Sequence, residues 1–138
     1  WVGIAGPRGS MVVPTGFDWH WLLGDETALP AIARRLAELP ASAVATVRIQ
    51  LNNPADQRVL ASAAQVDLQW VNALPAAVEA LALPPGAGFV WAAGEHSDMA
   101  AVRRAMLAKP GVDPKRMRIS AYWKRGAADH HEDLASAA

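Results

Sequence analysis

Short apolar runs alternate along this chain with stretches whose apolar residues recur every three or four positions. Trp19–Leu23 is a continuous apolar run closed by Gly24 and reads as a buried strand. From Leu29 to Leu39 the apolar positions Leu29, Ile32, Ala33, Leu36 and Leu39 follow helical spacing, with Arg34, Arg35 and Glu38 on other faces. Pro30 suits the first turn of that helix, where its missing N–H would have had no partner, and Pro40 stops it. Val44–Leu51 is rich in β-branched residues and predicts a second strand, ended by Asn52-Asn53-Pro54. Val66–Val71 predicts a third strand, and Pro75–Leu83 a modest helix stopped by Pro84-Pro85-Gly86. Gly88–Ala93 is another continuous apolar strand. Asp98 is the predicted cap of a helix over Met99–Ala108, and Arg118–Tyr122 is the last strand. The tail from Ala127 is polar, then alanine-rich, and predicts a frayed helix or disorder.

Strands that alternate with helices give a mostly parallel sheet joined by right-handed crossovers, with helices on both faces. Runs that are apolar throughout support burial of the strands on both sides. The expectation is therefore an α/β domain built on a five-stranded, mostly parallel sheet.

Composition narrows the function classes. Thirteen basic and thirteen acidic side chains leave no net charge among 138 residues, which argues against a nucleic-acid binder. Without cysteine there is no disulfide, iron–sulfur ligation or thiolate zinc site. No apolar run approaches the roughly 18 residues of a membrane-spanning helix, and no signal-peptide pattern opens the chain. A cytoplasmic protein is expected. His130-His131-Glu132-Asp133 invites a metal reading, but adjacent histidines diverge and no third spaced ligand follows, so no metal site is expected.

In an open parallel sheet, ligands bind beyond the carboxyl ends of the strands. The residues there are Gly24-Asp25-Glu26-Thr27-Ala28-Leu29-Pro30 after the first strand, Ala93-Gly94-Glu95-His96 after the fourth and Tyr122-Trp123-Lys124-Arg125-Gly126 after the last. A glycine at a strand end lets a ligand approach the backbone, and free N–H groups at a helix start favour phosphate. The alternative at the first site is a capped helix start whose acids complement the dipole. Tyr122 and Trp123 offer aromatic faces beside the cations Lys124 and Arg125; the alternative is an aromatic core anchor beside a solvated basic pair. No Gly-x-Ser-x-Gly elbow is present; His96 could be a base, the alternative being a solvated loop histidine. Trp70 and Trp91 are expected in the core or an interface.

Four strings stand in order: Gly6-Pro7-Arg8-Gly9-Ser10, Leu23–Ile32 with its Gly-Asp-Glu-Thr-Ala-Leu-Pro-Ala-Ile, Val90–Glu95, and Tyr122-Trp123-Lys124-Arg125-Gly126. Together they resemble the siderophore-interacting proteins, FAD-dependent ferric-siderophore reductases of the ferredoxin-reductase-like superfamily. The resemblance runs from about Gly6 to Gly126 and covers the C-terminal, NADH- or NADPH-binding lobe. It implies a Rossmann-like nicotinamide-binding domain over residues 11–126, a remnant of the preceding flavin barrel over 1–10 and a polar tail over 127–138. It further implies that Gly24, Asp25, Glu26, Thr27 and Pro30 line the nucleotide cleft. Ala93, Gly94 and Glu95 then lie beside the nicotinamide, with Tyr122, Trp123 and Gly126 near the flavin. Lys124 and Arg125 are candidates for an anionic ferric siderophore, by charge and position. The implied cofactors are NADPH or NADH, and FAD held mainly by the N-terminal lobe, which is the expected partner. Arg58, with no acid directly after the second strand, tilts the choice towards NADPH. The implied chemistry is hydride transfer to flavin followed by reduction of Fe(III) and iron release. Two alternatives stand beside it. One is a non-catalytic nucleotide- or partner-binding lobe, in which Trp1, Trp19 and Trp21 mark an exposed apolar face. The other is the same lobe of a different flavin reductase.

Overall fold

The computed structural model describes residues 17–51, 53, 55, 57–124 and the backbone of 132–133. Five parallel strands form its centre: β1 (Trp19–Asp25), β2 (Val44–Gln50), β3 (Gln65–Val71), β4 (Gly88–Glu95) and β5 (Met117–Trp123). Three helices connect them: α1 (Leu29–Glu38), α2 (Leu74–Glu79) and α3 (His96–Leu107). A two-residue strand, β6 (Glu132–Asp133), pairs antiparallel with β5, so part of the expected frayed tail is in the sheet.

The strand order is β3-β2-β1-β4-β5-β6. The chain winds outward from β1 to β3, then crosses back to place β4 on the other side of β1. In open parallel sheets a reversal of this kind is where a ligand crevice forms, here at the carboxyl ends of β1 and β4.

Two cores flank the sheet. On one face α1 packs Ile32 and Leu36 against Leu22, Val47, Ile49 and Trp91. On the other, α2 and α3 pack Val78, Met99, Val102 and Met106 against Trp21, Leu23, Val90 and Ile119. Alternation along β1 assigns Trp19, Trp21 and Leu23 to the α3 face. Trp19 and Trp21 are thus buried core residues, which removes them from the expected exposed apolar face; Trp1 lies outside the described residues. Trp91 is buried and Trp70 packs against the same core, as their apolar context predicts.

Two helix boundaries differ from the pattern. α2 ends at Glu79 instead of reaching Leu83. The residue before a proline is pushed to extended backbone, and Pro84 and Pro85 straighten the approach. α3 begins at His96, directly after β4, because Glu95 caps it by accepting the Asp98 N–H at 3.0 Å. Asp98 is therefore in the first turn and is not the cap.

Candidate functional site

The switch in strand order brings together the ends of β1 and β4 and, through one long side chain, that of β5. Asp25 closes β1. Its Oδ1 accepts the Thr27 N–H at 3.0 Å and the Thr27 hydroxyl, which caps the 3-10 turn over Glu26–Ala28 that leads into α1. Its Oδ2 accepts the Trp123 indole N–H at 3.0 Å. With three donors on one carboxylate and only 7 % of the residue exposed, Asp25 is committed to the protein. Glu95 is deeper still, at 1 %.

One N–H at each helix start that faces the crevice is taken by a carboxylate of the chain: the Thr27 N–H, in the 3-10 turn before α1, by Asp25, and the Asp98 N–H, in α3, by Glu95. The sequence left two readings for the first of these, a phosphate cradle or a capped start with acids on the dipole. The Asp25 bond is the cap of the second reading, and it occupies one N–H of that turn.

The strand-end glycines have packing roles. A Cβ on Gly24 would lie 2.7 Å from Ala28 Cβ and 2.8 Å from the Ala93 carbonyl oxygen, so its absence lets the start of α1 settle onto β1 and β4. A Cβ on Gly94 would lie 2.9 Å from Asp25 Oδ2. Gly94 leaves open the space into which the carboxylate reaches.

Exposed groups rim the crevice. Glu26, Thr27 and Pro30 are exposed on the α1 side, Lys124 is exposed after β5, and Tyr122 and Trp123 are half-buried. Tyr122 meets Trp91 edge-on, with ring centroids 6.4 Å apart, and the Arg35 guanidinium lies 4.6 Å over the Trp91 ring. Burial lowers the Arg35 pKa, partly offset by Tyr122 and Glu38.

Matched against models of known families, residues 17–126 fit the siderophore-interacting proteins. The chain belongs to the siderophore-interacting protein family. Among curated members, it is 32 % identical to the NADPH-dependent ferric-chelate reductase of Escherichia coli over 127 residues, covering 87 % of this chain and 50 % of that protein. It is 28 % identical to the ferric vibriobactin reductase of Vibrio cholerae over 144 residues, covering 96 % and 53 %. A siderophore utilization protein from T. fusca superposes with a TM-score of 0.76 at 33 % identity, over 91 % of this chain and 51 % of that one. The siderophore-interacting protein SipS from Aeromonas hydrophila gives 0.73 at 26 % identity, over 80 % and 48 %. The chain spans about half the length of these family members.

Of the residues singled out from the sequence, Gly24, Asp25, Glu26, Thr27, Pro30, Ala93, Gly94, Glu95, Tyr122, Trp123 and Lys124 all lie at or beside the carboxyl edge of β1, β4 and β5. Arg125 and Gly126 lie outside the described residues, as do Gly6–Ser10. Glu95's capping role and the Arg35–Trp91 stack were not foreseen. Glutamate is an uncommon cap, and no local spacing joins a helix arginine to a strand tryptophan. Among the described residues no cluster of histidine and acidic side chains suits a metal, and no helix is long and apolar enough to cross a membrane.

A groove of about 690 Å³ lies at the opposite edge of the sheet, between the end of α2 and the second half of α3. Alanine and leucine dominate its lining, and Lys109 within it donates to the Leu81 carbonyl. It carries none of the strand-end chemistry.

Proposed function

We infer that this chain is the nicotinamide-nucleotide-binding half of a flavin-dependent ferric-siderophore reductase. The reading is supported by the crevice at the β1–β4 switch, in a chain that spans half of relatives named as ferric reductases. The flavin-holding half of the same protein is its partner, a ferric siderophore its substrate and the cytoplasm its compartment.

The rim suits the planar end of such a nucleotide. Trp123 and Tyr122 offer ring surface, and the exposed Thr27 hydroxyl, whose proton goes to Asp25, keeps its oxygen as an acceptor for a carboxamide N–H. At the two helix starts the Thr27 N–H and the Asp98 N–H are already bonded to carboxylates of the chain. In this reading side-chain cations help to meet the phosphate charge, with the exposed Arg58 after β2 near the 2′-phosphate of NADPH. Lys124 and Arg125 are the cations proposed to attract the anionic siderophore. When bound, the nicotinamide and flavin supply a two-electron hydride donor and a carrier able to release electrons singly to two ferric ions. The protein's own residues bind and orient; none needs to move a proton.

Titration of the isotope-labelled chain with NADPH and NADH tests this. Shifts at Gly24–Thr27, Ala93–Glu95, Tyr122 and Trp123 are expected with either nucleotide and at Arg58 with NADPH, with NADPH the tighter ligand and Arg58→Gln narrowing its advantage. No shift at millimolar concentrations of either nucleotide would overturn the reading and favour the partner-binding lobe. The chain alone should not sustain ferric-siderophore reduction, since the flavin belongs mainly to the other half; steady turnover without that half would contradict this division.

A further inference from the structure

Trp123 reaches across β4 to touch β1. The two strands that hold Trp123 and Asp25 are not neighbours; β4 lies between them, and hydrogen-bonded strands are spaced by roughly 4.8 Å. Two local features permit the link. The β4–β5 register shifts between Gly94 and Glu95, so that Trp123, and not Tyr122, stands opposite Glu95. An irregularity of this kind re-aims a side chain. Gly94 then leaves empty the position beside the Asp25 carboxylate, where any Cβ would sit 2.9 Å from Oδ2 and 3.1 Å from Cγ.

We propose that Asp25 is a positioning residue of the reductase, not a nucleotide ligand. Through its two oxygens it holds the Trp123 indole across Gly94 and the turn into α1, so that both walls of the crevice form one unit. This rests on the nucleotide reading of the crevice. The chemistry favours it on two counts. The indole has a single hydrogen-bonding group, its N–H, so bonding that group to Asp25 fixes the ring's orientation about its broad second torsion. The carboxylate oxygens divide the work: Oδ1 serves the turn at Thr27 and Oδ2 serves the strand-end tryptophan. An asparagine cannot do both. With its oxygen towards Thr27 N–H it turns its own N–H groups on the indole N–H; flipped, it meets the Thr27 N–H donor to donor.

The test uses the six tryptophan indole N–H signals of this chain, with that of Trp123 identified by its loss in Trp123→Phe. In the unsubstituted chain the Trp123 indole proton should resonate downfield of an exposed indole and exchange slowly. Asp25→Asn should move it upfield and speed its exchange. Gly94→Ala, which leaves Asp25 in the sequence but crowds its carboxylate, should do the same to a smaller extent. Thr27→Val, which removes a hydroxyl from the other oxygen, should leave the signal in place. Asp25→Asn and Trp123→Phe should each weaken NADPH binding roughly tenfold, the size expected of one charge-assisted hydrogen bond. Combined, they should weaken it little more than either alone, because both break the same link. An unchanged indole signal in Asp25→Asn overturns the proposal, and so do effects on NADPH affinity that multiply. If the unsubstituted chain binds neither nucleotide, the crevice reading itself fails and takes the role of Asp25 with it. A protein in which Asp25→Asn unfolds is distinguished by the collapse of all indole signals, and Gly94→Ala then decides.

Discussion

Gly24 and Gly94 stand in similar strand-end contexts, yet the side chains around them predict different costs for a methyl group. At Gly24 the obstacles are Ala28 Cβ and a main-chain oxygen, neither of which can swing aside. Gly24→Ala is therefore expected to destabilise the fold by about 1–3 kcal/mol, as overpacking does in well-packed cores; thermal or urea unfolding measures it. At Gly94 the nearest atoms belong to the Asp25 carboxylate and the tip of Met99. Gly94→Ala should cost less stability while displacing Asp25. The sequence flagged both glycines for the approach of a ligand; on the side where a Cβ would point, each meets the chain itself. A glycine's neighbours in space are invisible to its neighbours in sequence.

At the scale of the element, α3 follows β4 without a linking loop, and one side chain makes that junction possible. Glu95 is the last residue of the strand and the cap of the helix. Glu95→Ala should remove the bond to the Asp98 N–H, costing roughly 1 kcal/mol. Glu95→Gln keeps a carbonyl acceptor and should cost less; the two differ in unfolding midpoint if capping is the role. Helical periodicity made α1 legible to within a residue at each end, because its apolar face is unbroken and prolines bracket it. The start of α3 was not legible. The short polar stretch after β4 gave no sign that a buried glutamate would cap the helix three positions earlier than aspartate.

At the scale of the whole molecule, a pH response is expected from a residue far from the crevice. His20 on β1 is 1 % exposed, meets Phe17 edge-on, and its Nε2 has no hydrogen-bond partner. Burial holds its pKa below the ordinary 6.5. Above pH 6.5 the imidazole is neutral whether the chain is folded or unfolded, and it adds no pH dependence. Below 6.5 the unfolded chain takes up the proton first, so stability falls with pH until the folded-state pKa is reached, by at most about 1.4 kcal/mol per unit. His20→Gln should flatten that part of the stability–pH curve relative to the parent chain. A slope unchanged between pH 6.5 and 5 would show that His20 is not its source.

Pattern alone determined that this chain forms an α/β sheet and which runs are strands. It could do so because periodicity and turn residues are local properties, and because four ordered strings resemble one family. The tertiary structure decided what the strand ends do to one another. Asp25 and Trp123 are 98 positions apart, and only the reversal of strand order, the register shift at Gly94 and the missing side chain there bring an indole N–H to a carboxylate. The bond from the Thr27 N–H to Asp25 at the first helix start was decided in the same way. A hydrogen bond is decided by distance and direction in space, and these depend on how the whole sheet is assembled.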